Sequence, residues 1–470
     1  MSRIDRRSLL FGAAAALAAP ALPRRTWAAA SAASIASILD ASGLGAVSGF
    51  AVADLDAGEL IEGHDADVGR PPASVAKVVT TLYALDALGP GYRFRTRLLA
   101  AGPIEGGTLR GDLVLEGGGD PVLDTDRLGQ LVAALKTRGI ERVEGRLLVA
   151  DGALPFVPDV ARDQPEDAGY NPTLSGMNLN FNRVQISWAP EQDPVFGAPG
   201  AKLVVPVAGI GGAVGKGPIR HRFEDGREVW SLPAKRVDGR GSDWLPVRAP
   251  APYAGEVFAG LAAQAGLALP AAEVVPRAGG AALAISDSPP LERMLRDMLR
   301  YSTNITAEAV GLRASQMRGE APDGVAASAA AMGGWARQRF GLPVASFVDH
   351  SGLGDGSRVA PEEMVAVLRQ ADGLAALLRP RPVKGADGAP VDLEVEVVAK
   401  TGTLFFACAL AGYMTGSRRL AFAIFAADHE RRAAIRPEER AQPAGSKAWT
   451  GRARAQEQAL LRRWAALYAA

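Results

Sequence analysis

The sequence predicts an α+β fold: an antiparallel sheet flanked by helices, with a large β-rich insertion. Three observations predict it. The chain closes on three consecutive strand-like runs, about Leu393 to Leu404, Ala407 to Met414 and Leu420 to Ala427, with Gly416-Ser417 as the turn between the last two. Near the start, Val75, Val78, Val79, Leu82, Leu85 and Leu88 recur at helical spacing after Pro71-Pro72-Ala73-Ser74. Between these ends, from about Tyr92 to Val275, short alternating runs such as Gly111-Asp112-Leu113-Val114-Leu115 and Lys202-Leu203-Val204-Val205 are split by glycine-rich turns.

The elements follow in chain order. Arg6 and Arg7 precede an apolar run from Leu9 to Leu22, and Ala28-Ala29-Ala30 follows it. That run is shorter than the roughly 20 residues a resident membrane helix needs. A charged start, a short apolar centre and a small-residue tract predict a cleavable signal peptide over residues 1–30. Asp5-Arg6-Arg7-Ser8-Leu9-Leu10 is similar to a twin-arginine export signal. The expected location is therefore the periplasm, with no stable transmembrane anchor. From Ala33 to Leu60 the pattern gives a helix and then a strand pair, and Gly89-Pro90-Gly91 stops the next helix. Helical patterns return near Leu291 to Ala314 and from Pro361 to Leu378. A last basic helix carries Leu460, Leu461, Trp464 and Leu467 on one face, which packing on the sheet explains better than membrane anchoring. The expected division is a catalytic part over residues 31–95 and 276–470, with residues 96–275 as inserted β-rich domains.

Composition narrows the function. The 470 residues are 48% hydrophobic and 22% charged, with a net charge of +1. These values exclude a disordered chain and give no footprint for nucleic acid. Cys408 is the only cysteine, so no intramolecular disulfide forms, and its apolar surroundings suit a buried small hydrophobe. His64, His221, His350 and His429 are scattered without metal-ligand spacing. No metal or cofactor is expected.

Three short segments carry chemistry. In Ser74-Val75-Ala76-Lys77 the serine and lysine are three apart on a helix and share a side. Ser74 sits at the helix start, where backbone N–H groups are free to face developing negative charge. Lys77 lies beside the apolar face, and a lysine removed from water serves as a base. Ser74 is thus a candidate nucleophile and Lys77 its proton acceptor. Tyr301-Ser302-Thr303-Asn304 offers a hydroxyl and an amide in a loop after an amphipathic run. Ser302 is placed to relay a proton to a leaving amine, and Asn304 to hold a substrate amide and the lysine. Lys400-Thr401-Gly402-Thr403 lies on a strand. Lys400, with Thr401 and Thr403, offers a hold for a carboxylate. Gly402 permits close backbone approach, and the Thr403 N–H completes an oxyanion hole with that of Ser74.

Each segment alone has a bland explanation, such as a serine helix cap. Together and in this order they resemble the S-x-x-K, S-x-N and K-T-G set of penicillin-interacting enzymes and serine β-lactamases. The resemblance narrows to the D-alanyl-D-alanine carboxypeptidase/endopeptidase family, the class C low-molecular-mass penicillin-binding proteins of penicillin-binding protein 4 type, peptidase family S13. Pro72-Ala73-Ser74-Val75-Ala76-Lys77 is similar to its P-A-S-x-x-K, and Gly118-Gly119-Asp120-Pro121 to part of its G-G-G-D-P. Asp349-His350-Ser351-Gly352-Leu353 is similar to its D-G-S-G-L. The gap of over two hundred residues between Lys77 and Ser302 fits the domains this family inserts into a transpeptidase-like one.

The resemblance implies an acyl-enzyme on Ser74, peptidoglycan stem peptides and crosslinks as substrates, and β-lactam antibiotics as covalent inhibitors. Departures are His350 in place of the usual glycine, and Gly354-Asp355 where many members have Ser-Arg. The second puts in doubt a subsite for an acidic peptide side chain. Asn180 aligns with a position bordering the family's cleft. A β-lactamase or esterase on the same scaffold, and a non-catalytic peptidoglycan-binding scaffold protein, remain as alternatives.

Overall fold

The computed structural model describes residues 32–371, 373–391, 393–436 and 439–469; the signal segment read at residues 1–30 lies outside them. Among the described residues no helix is long and apolar enough to cross a membrane.

A six-stranded antiparallel sheet forms the centre. Its order is Arg379–Pro380, Glu396–Leu404, Ala407–Thr415, Arg419–Ala427, Ser48–Asp54 and Leu60–His64. The middle strands are apolar at nearly every position because both faces are covered. On one face lie the helices Ala76–Leu88, Leu291–Tyr301, Asn304–Met317, Val325–Phe340 and Pro361–Arg369. On the other lie Ile35–Ser42 and Ser446–Trp464.

The last helix buries Leu460, Leu461 and Trp464, as its spacing predicts, but leaves Leu467 46% exposed. A π-helical turn over Ala465–Ala469 changes the phase of the apolar stripe there. Glu62 on the edge strand fixes this end of the chain. It accepts from Arg463 Nε at 3.1 Å, Trp464 Nε1 at 3.0 Å and the Tyr468 hydroxyl at 2.7 Å.

The inserted region carries most of the remaining strands. A five-stranded sheet runs in the order Ala272–Val275, Leu147–Ala150, Asp112–Glu116, Arg95–Ala101, Ala281–Asp287. Its pairings are partly parallel, and its last strand lies beyond residue 275. A four-stranded sheet and a three-stranded sheet follow from Arg183 to Pro246. Two helices not read from the sequence, Thr125–Thr137 and Pro250–Gln264, pack on this β-rich core. The first is capped by Asp124, which accepts from the Arg127 N–H at 2.8 Å. The second is rich in Ala and Gly, so its apolar face is too weakly marked to read as periodic.

One helix joins the two cores. Along Asn304–Met317, Ala307, Val310 and Ala314 enter the catalytic core. Ile305, Ala309 and Leu312 pack with Leu154, Val157 and Leu174 of the insertion. A helix packed on two sides is buried nearly all round, its polar Thr306, Glu308 and Ser315 included, and this one carries Asn304 into the seam between the two units.

Candidate active site

The expected loop around Ser302 is a two-residue break between helices. Leu291–Tyr301 ends on Ser302, whose φ of 60° is left-handed, and the next helix starts at Asn304. Such a φ costs a non-glycine residue roughly 1–3 kcal/mol, and it turns the Ser302 side chain away from the helix path. The nucleophile segment holds a second strained residue. Ala73 has φ 44° and opens a 3-10 turn, Ala73–Val75, that feeds the helix Ala76–Leu88. Ser74 is therefore on the 3-10 turn, two residues before the α-helix.

The turn is held by two close backbone approaches. A Cβ on Gly352 would stand 1.8 Å from the Ala73 carbonyl oxygen, and one on Gly402 would stand 2.9 Å from the Ser74 nitrogen. Only glycine fits either position. Gly402 thus lets the strand Glu396–Leu404 lie against the nucleophile. The edge strand Arg379–Pro380 pairs with Val398 and Ala399, so among the described residues Lys400 to Leu404 keep an open outer edge.

Lys77 is fully buried. Its Nζ lies 3.0 Å from Ser74 Oγ, 2.8 Å from Asn304 Oδ1 and 2.7 Å from the Ser351 carbonyl oxygen. Asn304 Nδ2 donates to the Tyr170 carbonyl at 2.7 Å, which fixes the amide orientation and brings the insertion to the site. Lys400 Nζ donates to Ser302 Oγ at 3.0 Å and to the Thr401 carbonyl at 2.7 Å. Ser74, Lys77, Ser302, Asn304 and Lys400 therefore converge. Strand alternation puts Thr401 opposite Leu410, on the reverse face from Lys400.

Burial dominates the electrostatics. It lowers the Lys77 pKa to about 8, against the pull of Glu308 and Asp349, which favour its charge. It also pushes Lys400 well below the usual lysine range, and the nearby charges of Lys77 and Arg381 add to that. Sequence reasoning missed Glu308. This fully buried carboxylate accepts from the His350 N–H at 3.0 Å and the Ser351 N–H at 2.9 Å. Asp349 accepts from the Gly352 and Gly354 N–H groups, each at 2.6 Å. The two carboxylates shape the loop whose Ser351 carbonyl meets Lys77. Burial and the neighbouring Asp349 raise the Glu308 pKa to about 8, so Lys77 and Glu308 titrate as a linked pair.

His350 is no part of the chemistry. Its ring is buried and neutral, with a pKa pushed down to about 3 by burial, and Nε2 meets Ser328 Oγ at 2.8 Å. Gly311 makes its room, since a Cβ there would stand 2.2 Å from the ring. Cys408 is buried as expected, with its thiol pushed up to about 12 by burial. Asn180 does not border the cleft. It is buried in the insertion, where its amide meets Thr125 and Tyr253.

A cavity of about 1110 Å³ opens over Ser74, Ser302, Asn304 and Thr403, while Lys77, Lys400, Thr401 and Gly402 stay outside its lining. Its far walls come from Ala161–Gln164 of the insertion and from Arg432, Arg440, Lys447 and Arg454. Asp355, one of the departures noted in the sequence, lines it too. Asp355 pairs with the Arg432 guanidinium at 2.6 Å, so a cation stands beside it from another element.

The sequence profile of the D-Ala-D-Ala carboxypeptidase 3 (S13) family matches residues 31–445. The chain is 26% identical over 422 residues to the D-alanyl-D-alanine carboxypeptidase DacB of Haemophilus influenzae, covering 80% of this chain and 84% of that one. It is 35% identical over 127 residues to a D-alanyl-D-alanine carboxypeptidase of Actinomadura sp. strain R39, covering 27% of this chain and 23% of that one. The crystal structure of penicillin binding protein 4 from Haemophilus influenzae has the same fold. Its TM-score is 0.69 at 22% identity, over 83% of this chain and 92% of that one.

Proposed function

This chain belongs to the D-Ala-D-Ala carboxypeptidase 3 (S13) family, and from that premise we propose that it is a serine-type D-Ala-D-Ala carboxypeptidase and/or D,D-endopeptidase acting on peptidoglycan stem peptides and crosslinks. One observation carries the reading of the site: the three partners of Lys77 Nζ. The Ser351 carbonyl and Asn304 Oδ1 can only accept. A neutral amine has two N–H groups for them and one lone pair left, and the remaining partner is the Ser74 hydroxyl. Deprotonating Lys77 therefore aims its lone pair at the Ser74 proton.

Ser74 Oγ attacks the carbonyl carbon between two D-residues while Lys77 takes its proton. The oxyanion is assigned to the N–H groups of Ser74 and Thr403. Ser302, hydrogen-bonded to Lys400, relays the proton that Lys77 took from Ser74 on to the leaving amine, which leaves Lys77 neutral and Ser302 a hydroxyl again. Lys400 is assigned to the terminal carboxylate together with Thr403, which lines the cleft, while Thr401, on the reverse face from Lys400 and outside the lining, takes no part; Asn304 positions the acyl chain. Water then releases the acyl-enzyme. β-Lactams acylate the same serine. The proposed location is the periplasm, reached by the twin-arginine route through the segment over residues 1–30. The inserted domains are proposed to run from about 95 to 287 rather than to 275, because Ala281–Asp287 pairs with Arg95–Ala101.

The test is exposure to penicillin and then to defined muropeptides, with products identified by mass. One adduct on the peptide containing Ser74, and release of D-alanine or of crosslink halves, is expected. An adduct that persists in Ser74→Ala would sink the nucleophile assignment, and fast penicillin turnover without muropeptide cleavage would reassign the chain as a β-lactamase.

A further inference from the structure

A second cavity, of about 560 Å³, lies behind the turn Ser302-Thr303-Asn304. It shares Tyr170, Ser302 and Asn304 with the main cleft. That volume is within the range of ordinary ligand pockets. Its walls include Tyr301, Phe181 and Trp244, and Tyr301 is 65% exposed although it adjoins Ser302. Two arginines line it. Arg236 is ion-paired with Asp167 and with Asp243, at 2.7 Å to the latter. Arg183 is different. Its guanidinium lies 5.4 Å from the Phe181 ring centre and 5.5 Å from that of Trp244. Among the described residues no carboxylate pairs with it, its buried Nε has no hydrogen-bond partner, and burial lowers its pKa with no acidic neighbour to oppose that. A guanidinium held between rings without a counter-ion is preorganised to receive an anion.

The position says which part of a substrate comes here. The main cleft is lined by Thr403, Leu404 and Phe405, so it follows the strand onward from Thr403. Lys400, at the other end of that motif, holds Ser302. The second cavity opens on the Ser302 side, where the proposed reaction protonates the leaving amine. From this we propose that the second cavity is the seat of the leaving arm of a crosslinked substrate, a peptide carrying a carboxylate that Arg183 receives. The inference rests on the reaction proposed above. It makes the crosslink the substrate for which this second wall exists, since free D-alanine is too small to reach it.

Two substrates with the same scissile bond separate the arms. One is a linear stem peptide ending in two D-residues; the other is a crosslinked dimer. In Arg183→Met, kcat/KM on the dimer falls by roughly 10- to 100-fold, the value of one charge-assisted hydrogen bond. Release of D-alanine from the linear peptide stays within about twofold. Trp244→Ala shifts the two substrates in the same unequal way, and Arg183→Lys restores part of the dimer activity. The rate of Ser74 acylation by penicillin, unchanged in each variant, shows that the site is intact. Equal losses on both substrates, or no loss on the dimer, overturn the proposal, as does a wild-type chain that cuts the linear peptide and leaves the dimer whole. A wild-type chain that cuts neither removes the reaction itself, a result read without any variant.

Discussion

The reacting centre and the wall of the cleft are built by different means. In the centre, Lys77, Lys400, Glu308 and Asp349 are all buried, and each polar atom meets a named partner within hydrogen-bond distance. The wall mixes loop, helix and charge of varied exposure: Ala161–Gln164, the half-exposed Asp355 with its nearly buried partner Arg432, and Arg440 and Arg454. Buried, fully partnered groups have one arrangement, which a reaction with fixed geometry requires. Exposed charges near water are worth less each, so the wall tolerates change more easily than the centre. The lesson is a division of labour. The sheet and helices hold the buried centre, and segments from two distant parts of the chain line the cleft above it.

The largest expected effect is at the centre. Lys77→Met removes the one side chain that, among the described residues, meets Ser74 Oγ with a lone pair to offer, so acylation by penicillin should fall by about 10²- to 10⁴-fold, the usual contribution of a positioned base. Stopped-flow or mass-spectrometric acylation rates measure it. A loss under tenfold would mean that another group takes the Ser74 proton and would break the contrast between centre and wall.

Glu308→Gln comes next and has a pH signature. The groups facing Glu308 are Lys77 on the nucleophile helix and Asp349 and the neutral His350 on the following loop, with Lys400 beyond Lys77. The carboxylate raises the Lys77 pKa, so its removal lowers that pKa further from about 8. Lys77 must be neutral to accept a proton, so the acid limb of the acylation rate should move to lower pH. An amide also leaves one of two backbone N–H groups without an acceptor, which costs roughly 1–3 kcal/mol of stability. A uniform loss of rate with an unmoved limb would leave Glu308 with loop shaping alone.

Legibility in the sequence followed the same division. Ser74 with Lys77, and Lys400 with Gly402 and Thr403, were readable because each set lies on one element at a spacing that element dictates. The three last strands were readable for the same reason, and their observed limits differ by at most three residues. Ser302 stood out as a candidate but not as a helix break, since helical periodicity continues on both sides of it. Glu308 looked like one more helix position, because its partners are more than forty residues away. Tyr170 was hidden further still, as its backbone carbonyl rather than its side chain meets Asn304, 134 positions on. The helix Val325–Phe340 was missed because alanine and glycine dominate it and mark no face.

Lys400→Ala sharpens the boundary between chemistry and recognition. If Lys400 mainly receives the terminal carboxylate, turnover of a free-carboxylate substrate should fall about ten- to a hundredfold, while its amidated analogue suffers much less. The 3.0 Å contact with Ser302 favours a second component, felt by both substrates. Comparing the two substrates in wild type and variant separates the components. Equal losses would reject carboxylate recognition as its main task.

The smallest effect belongs to the wall, at the position where the sequence departs from its family. Asp355 is half exposed, while its partner Arg432 is almost buried and also donates to the Phe405 carbonyl. Removing the aspartate therefore leaves Arg432 in place and frees its guanidinium toward the cavity. An exposed ion pair is worth about 0.2–1 kcal/mol, so Asp355→Ala should hardly change the melting temperature. It should, however, lower KM for a stem peptide with an acidic side chain by at most about fivefold, because the same free energy is no longer spent on Asp355. An amidated version of that peptide should not respond. If both peptides respond alike, Arg432 shapes the wall without reading charge. If KM for the acidic peptide rises instead, Asp355 itself meets the substrate, and the aspartate here, where the family resemblance implies arginine, sets the sign of the charge that the cleft admits.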